Sequence, residues 1–422
     1  MNRELTTPNK PNVETNGMSV DASTKESLRE LICGSVISEC TRTLDGRLKA
    51  IVLTGSLARD EASFARTGNG WELHGDAEFL VVMKEGCGRP SIPDSDQIRQ
   101  QIVRNLESKR LRGTVDVGFL RPFFFARLPE HIFSYELKHC GRVVWGDAGV
   151  LGAIPDFPAS YLSREDAWRL LTNRLVEILE CAPEMTQPAA TASSNLQYRL
   201  VKLHLDTATS LSVFLNLYQP SYRGRMEALA NLAAENHDWK IPFDIPVFND
   251  RLERSTTAKL SFPARLAECS GIEWRDSLRS ALSVWRWELV RLTGASEALS
   301  GAELFETYRR RQLYSERLRG WLYVARACGW HRSYHLWPRW LRMSGRMSPR
   351  YWIYSLTGRA LEEATKSDTA FDANDTTLFF EALRHELPVP NEPVSPANQP
   401  AFLALAAEIV WNYKQFVVGT RA

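Results

Sequence analysis

The sequence predicts an α+β protein in which a mixed sheet with flanking helices comes first and an all-α helical bundle comes second. Three observations predict it. Short β-branched apolar runs (LKAIVLTG at 48–55, EFLVVM at 78–83, TVDVGFL at 114–120) lie in the first part of the chain, and runs of that length bounded by Gly or polar residues read as strands. From residue 163 nearly every segment instead repeats its apolar residues three and four positions apart, the spacing of an amphipathic helix. A chain of 422 residues also exceeds what one hydrophobic core usually serves, so two domains are expected.

Taken in order, residues 1–20 are polar, lack periodicity and read as a disordered leader without a secretory signal. Leu28, Leu31, Ile32, Val36 and Ile37 then mark an amphipathic helix. Strands come next at 48–55, 78–83 and 114–120, with a helix expected at 94–110 behind its Asp-Ser start. HIFSYELKHC reads as a helix and RVVW as a short strand. Gly, Asp and Pro crowd Gly146–Pro158, which sets the boundary between a first domain at 21–150 and a helical domain at 160–422. Helices are expected there at 163–182, 195–217, 221–237, 272–293, 302–318 and 401–417, the last behind a Pro/Asn linker at 391–400.

Bulk composition narrows the class. With 44% apolar and 24% charged residues the chain is ordinary for a globular protein and unlike a fibrous or disordered one. Net charge is only +2, so affinity for nucleic acid or an anionic surface needs a local patch. Seven scattered cysteines without CxxC spacing give no zinc or redox motif. No segment has the ~18 uninterrupted apolar residues of a membrane span, and a cytoplasmic location is the expectation.

The chemistry concentrates in IVLTGSLARDEASF and, after a Gly-rich insertion at 63–75, HGDAEFLVV. A strand running into Gly55-Ser56 and then a helix suits phosphate, because glycine lets the backbone approach closely while helix N-terminal N–H groups and a hydroxyl face the anion. Asp76 and Glu78, two apart on a strand, project from one face. Asp116 repeats the arrangement within another apolar strand. Like charges so placed repel unless a cation lies between them.

Gly55-Ser56, Asp76-x-Glu78 and the later Asp116 resemble the Gly-Ser, paired-acid and third-acid pattern of polymerase β-type nucleotidyltransferases, the superfamily of aminoglycoside nucleotidyltransferases, poly(A) polymerases and oligoadenylate synthases. GSLARDE, DAEFLVV and YELKHCGRVVWGD are also similar to its bacterial members, and the likeness spans about residues 45–150. The stretch between Gly-Ser and the paired acids is longer than is usual there, and forms a hairpin or flap at the nucleotide entrance in this reading. The resemblance implies that Asp76 and Glu78 bind two Mg²⁺ ions and that Asp116 joins them at one ion and acts as general base. It also implies that Ser56 and the amides after Gly55 hold the phosphates of a nucleoside triphosphate, expected to be ATP. The partner is an acceptor hydroxyl on a small molecule, a protein or RNA.

Further cations for the triphosphate are expected from Lys202, which interrupts an apolar helical row, and from Arg59, whose alternative is pairing with Glu61 or Asp60. His74, just before the acids, is a candidate nucleotide contact. Arg199-x4-His204 resembles the catalytic pair of HEPN ribonucleases, the alternative being a core or rim histidine. Between Arg317 and Leu361 lie nine arginines and many aromatics but no acid, a pattern for single-stranded nucleic acid or an anionic acceptor. The preferred alternative is that the tryptophans fill the bundle core while the arginines pair with acids from elsewhere. Beside the transferase stand two other readings: a nucleotide-binding regulatory module without turnover, and an RNA-binding or HEPN-like helical protein.

Overall fold

The computed structural model describes residues 20–186, 193–234, 241, 243–263, 265–269, 273–329, 333–366, 374–390 and 400–418. Most of the leader expected at 1–20 and the linker at 391–400 lies outside the described residues. The chain forms two compact units. The first comprises residues up to Arg127, Glu136–Pro155 and Thr257–Ala267, the last a stretch that the sequence pattern leaves inside the helical domain. The second takes in Leu128–Tyr135, Asp156–Thr256 and Glu268 onward.

In the first unit, α1 (Ala22–Thr43) starts at Asp21, whose carboxylate caps Thr24 N. After it come β1 (Leu48–Thr54), the one-turn α2 (Gly55–Ala58), β2 (Ser63–Thr67), β3 (Gly70–Met83), α3 (Ile92–Ser108) and β4 (Leu111–Leu120). Then come α4 (Ile132–Cys140), which crosses the division between the units, and β5 (Arg142–Gly146). Ser91 and Asp94 close a capping box that starts α3 two residues before the expected position.

The 63–75 insertion is an antiparallel hairpin, and its second strand does not stop before the acids. β3 runs unbroken from Gly70 through Asp76 and Glu78 to Met83, where the sequence pattern suggests a strand only from residue 78. The sheet is mixed. β4 runs parallel to β3 along one edge, while β2 and then β1 pair antiparallel with it along the other, β1 also pairing β5.

Burial alternates along β3, so Ala77, Phe79 and Val81 face inward with Val115, Val117 and Phe119 of β4. Leu28, Ile32 and Val36 of α1 and Ile98, Ile102 and Leu106 of α3 join that same core. One face of the sheet is therefore sealed by helices, and the residues between these inward positions project from the other.

Among the described residues the second unit carries no strand. Its helices are α5 (Arg164–Ile178), α6 (Ala182–Met185), α7 (Ser194–Phe214), α8 (Tyr222–Ala234), α9 (Ile245–Leu260, whose last turn belongs to the first unit), α10 (Trp274–Thr293), α11 (Gly301–Arg309), α12 (Tyr314–Cys328), α13 (Trp337–Ser344), α14 (Pro349–Ala364), α15 (Asn374–Arg384) and α16 (Ala401–Tyr413). The rings of Trp168, Trp285, Phe305, Tyr308, Tyr351 and Tyr354 form its centre, with Trp168 and Tyr308 centroids 5.4 Å apart.

One helix expected from the sequence, 302–318, is two. The chain turns after Arg309, and Arg317 Nη2 donates to the carbonyls of Arg309 (2.8 Å) and Gln312 (2.9 Å). Arg309 O also accepts from Gln312 N at 3.1 Å, which closes the turn at the break.

Candidate active site

β1 ends at Thr54 and the chain turns at Gly55, whose φ of +70° is a left-handed value costly for any residue with a Cβ. A Cβ at this position would also stand 2.9 Å from Glu78 Oε2. Glycine is thus what allows the Glu78 carboxyl to lie against the turn. Ser56 is the next residue, half-buried, in α2. That helix has only four residues, so its dipole is slight. The turn's own amides, rather than the longer helix that the sequence suggests, are what it offers an anion.

The acids lie alongside. Asp76 and Glu78 alternate with buried Ala77 on β3, and Glu78 stands opposite Asp116 in the parallel ladder, as Asp76 does opposite Thr114. Residues in register on adjacent parallel strands project to the same face, so all three acids lie on the sheet face away from α1 and α3. The structure brings them together as the sequence pattern requires. They sit where β3 leaves β2 at His74 and meets β1 at Glu78, with Gly75 at φ +121° in between.

Electrostatics report this crowding. Burial pushes the Glu78 carboxyl up to about 6, and the charge of Asp76 adds to the rise; Arg59 opposes it, while Asp116 and Glu136 reinforce it. Asp116, like Asp76, is exposed, with 71% of its side chain open and its Oδ1 4.0 Å from Arg99 Nε. Arg99 is itself held by Val117 O, at 3.2 Å from Nε and 2.7 Å from Nη2.

Three carboxylates on one face are a donor set suited in kind to a hard divalent cation. Against that, among the described residues no group of three or more His, Cys, Asp and Glu side chains is disposed to hold a metal ion as it stands. The two observations are compatible, because Glu78 is turned onto Gly55 and Asp116 leans toward Arg99.

Arg59 lies beneath the site, 8% exposed, paired with Glu61 at 2.9 Å and Glu136 at 2.5 Å. The carboxylate pairing weighed as its alternative is present, and a phosphate would have to compete with it. The His74 ring packs 4.3 Å from that of Phe262, centroid to centroid, with Nε2 4.0 Å from Glu72. Arg99 and Glu136 carry no local signal in the sequence, since only the packing of α3 and α4 on the sheet brings them to the acids.

Lys202 belongs to the second unit, on α7, where its Nζ lies 5.5 Å from the Tyr198 ring centroid. The HEPN-like pair fails on geometry. Arg199 is paired with Glu180 and Glu177. His204 is 1% exposed, with Nδ1 3.0 Å from Ser255 Oγ, and burial presses its pKa down to about 3, the Arg251 charge adding to the effect. A sealed, neutral imidazole cannot exchange protons with an RNA substrate.

The basic aromatic stretch divides. Trp321 and Trp340 are buried, donating their indole N–H groups to Met347 O and Pro388 O at 2.8 Å, as the core-filling alternative requires. Trp330 and Arg332 lie outside the described residues. Among the described residues the expected pairing with acids from elsewhere is found at one position. Among the described arginines of the stretch only Arg359 meets a carboxylate, that of Glu386, whereas Arg317 and Arg339 donate to backbone carbonyls.

No family model matches the chain, and no curated protein matches it. Among solved structures it is similar to spectinomycin adenyltransferase AAD(9) from Enterococcus faecialis with ATP and spectinomycin, at 12% identity and a TM-score of 0.34, covering 61% of this chain and 96% of that one. So distant a likeness leaves function to be read from the geometry of the acids and the turn. Among the described residues no helix is long and apolar enough to cross a membrane.

Proposed function

We propose that the chain is a nucleotidyltransferase of the polymerase β type, moving a nucleoside monophosphate from a triphosphate, ATP in our reading, to an acceptor hydroxyl. The observation that carries this is the convergence of Asp76, Glu78 and Asp116 on one sheet face beside the Gly55 turn. Asp76 and Glu78 would hold magnesium, with Asp116 as a further ligand. Bound there, it would supply positive charge to the phosphate oxygens and to the leaving group.

The protein's own groups do the rest. Ser56 and the amides after Gly55 bind the terminal phosphates. Asp116, exposed on β4, takes the proton of the acceptor hydroxyl. That oxygen bonds to the α-phosphorus, the bond from α-phosphorus to the bridging oxygen breaks, and pyrophosphate departs with the electron pair.

One observation favours a second reading. The carboxyl groups as placed do not form a ready metal-holding group, as befits a module that binds nucleotide without turning it over. Incubation with labelled ATP, GTP, CTP or UTP and cell extract, with magnesium or with chelator, separates the two. We expect magnesium-dependent label transfer and pyrophosphate release, abolished in a folded Asp76→Ala protein. Undiminished turnover in that variant would falsify the site, and nucleotide binding without pyrophosphate release from any of the four would establish the second reading.

A further inference from the structure

We infer that the second unit carries an anion site of its own, for a phosphate-bearing small molecule, in a cavity of about 410 Å³ lined by Arg339, Arg342, Arg346, Trp352, His385 and Glu386. The volume falls within the range of small-ligand pockets. Arg339, Arg342 and Arg346 stand at i, i+3 and i+7 along α13 and the turn after it, and so on one helix face. Three like charges on one face raise the energy of the helix unless something anionic answers them.

Among the described residues the fold answers them only in part, through the Glu386 charge near Arg339. Among the described residues none of the three arginines meets a carboxylate, and the one acid lining the cavity, Glu386, is already paired with Arg359 at 2.7 Å. Arg339 is anchored rather than neutralised. Its Nε donates to Leu387 O at 3.0 Å and its Nη2 to the carbonyls of Leu387 and His385. One edge of the guanidinium is thereby fixed, and Nη1 is left without a protein partner among the described residues.

Half-burial and the Arg342 charge lower the pKa of Arg339 and outweigh the opposing Glu386 charge, in keeping with incompletely compensated positive charge. A guanidinium fork matches the oxygens of a phosphate group. Trp352, partly exposed and with Nε1 3.4 Å from Met343 O, supplies an apolar wall. The small volume, about 410 Å³, suits a compact phosphate group rather than a nucleic-acid backbone, which binds along extended grooves.

The test uses the full chain in chelator, so that magnesium cannot hold phosphate at the acids. Inorganic phosphate and pyrophosphate are titrated calorimetrically, and vesicles containing phosphatidate are sedimented with the protein. Saturable binding of a free anion, kept in Asp76→Ala and weakened about tenfold or more in Arg342→Gln and in Arg346→Gln, supports a soluble phosphate ligand. The same loss seen only with vesicles supports the same site with a lipid headgroup as the source. Both arginines are exposed, so their substitution spares folding, which circular dichroism checks. The inference is overturned by binding that survives Arg342→Gln/Arg346→Gln, by the lack of saturable binding to every phosphate probe, or by arginine-dependent binding to single-stranded RNA alone.

Discussion

Gly55 is the residue on which the candidate site turns, because its backbone conformation and the position of the Glu78 carboxyl exclude a side chain for separate reasons. Gly55→Ala should cost about 1–2 kcal/mol from the left-handed φ alone. It should also displace Glu78, reducing label transfer on the order of a hundredfold. A melting temperature and turnover both equal to those of the wild type would remove the glycine from the argument. In the second unit His204 sets a pH dependence. Its folded pKa, about 3, lies below the ordinary value of 6.5. Between those values the unfolded chain binds a proton that the folded one refuses. The stabilisation is therefore complete above 6.5 and is lost as pH falls toward 3, with a limiting slope of about 1.4 kcal/mol per pH unit. The stability margin of the wild type over His204→Asn should shrink between about pH 7.5 and about pH 4.5, and a constant margin would contradict the burial argument.

At the scale of elements, two helical glycines are expected to respond with opposite signs to the same substitution. Gly34 sits on the exposed face of α1 with nothing within 4 Å of a Cβ, so Gly34→Ala should stabilise by up to about 1 kcal/mol. Gly358 in α14 would bring its Cβ to 2.5 Å from Trp285 Cη2. Trp285 has little room to yield, being 1% exposed, hemmed in by Trp168 and Phe305, and donating to Thr172 Oγ1 at 3.0 Å. Overpacking of about 1–3 kcal/mol then outweighs the helix propensity gained, and Gly358→Ala should lower the urea midpoint. A rise would mean that the contact between α10 and α14 can open to admit a methyl group. The 63–75 insertion, read from sequence as a hairpin or a flap, is the hairpin of β2 and β3, and the length of its second strand is what the sequence does not show. Thr67 to Gly70 reads as a loop, and the short alternation of Trp71 and Leu73 with Glu72 and His74 is cut off from residues 76–83 by Gly75, so only pairing with β2 reveals one continuous strand.

For the whole molecule the consequential fact is that the first unit is completed by residues 257–267, distant in sequence. The buried Ser63 donates to Lys259 O at 2.8 Å, Lys25 Nζ to Leu260 O at 2.9 Å, and Phe262, 7% exposed, packs on His74. Phe262→Ala should destabilise by about 3 kcal/mol, and the loss should register as faster hydrogen exchange in residues 63–74. Unchanged exchange there would show that the segment does not support the hairpin. Alternation and helical periodicity by themselves determined the strands carrying Glu78 and Asp116, the capped helix between them and the helical character of the second unit. These are local signals, written in the spacing of side chains along a few turns of chain. Only the tertiary structure decided that Glu78 stands opposite Asp116, that Arg59 is bound to Glu136, that His204 is sealed, and that three arginines line a cavity whose one carboxylate, Glu386, is paired with Arg359. Each depends on which distant segment packs alongside, and that is set by burial of apolar surface over the whole unit rather than by neighbours in sequence.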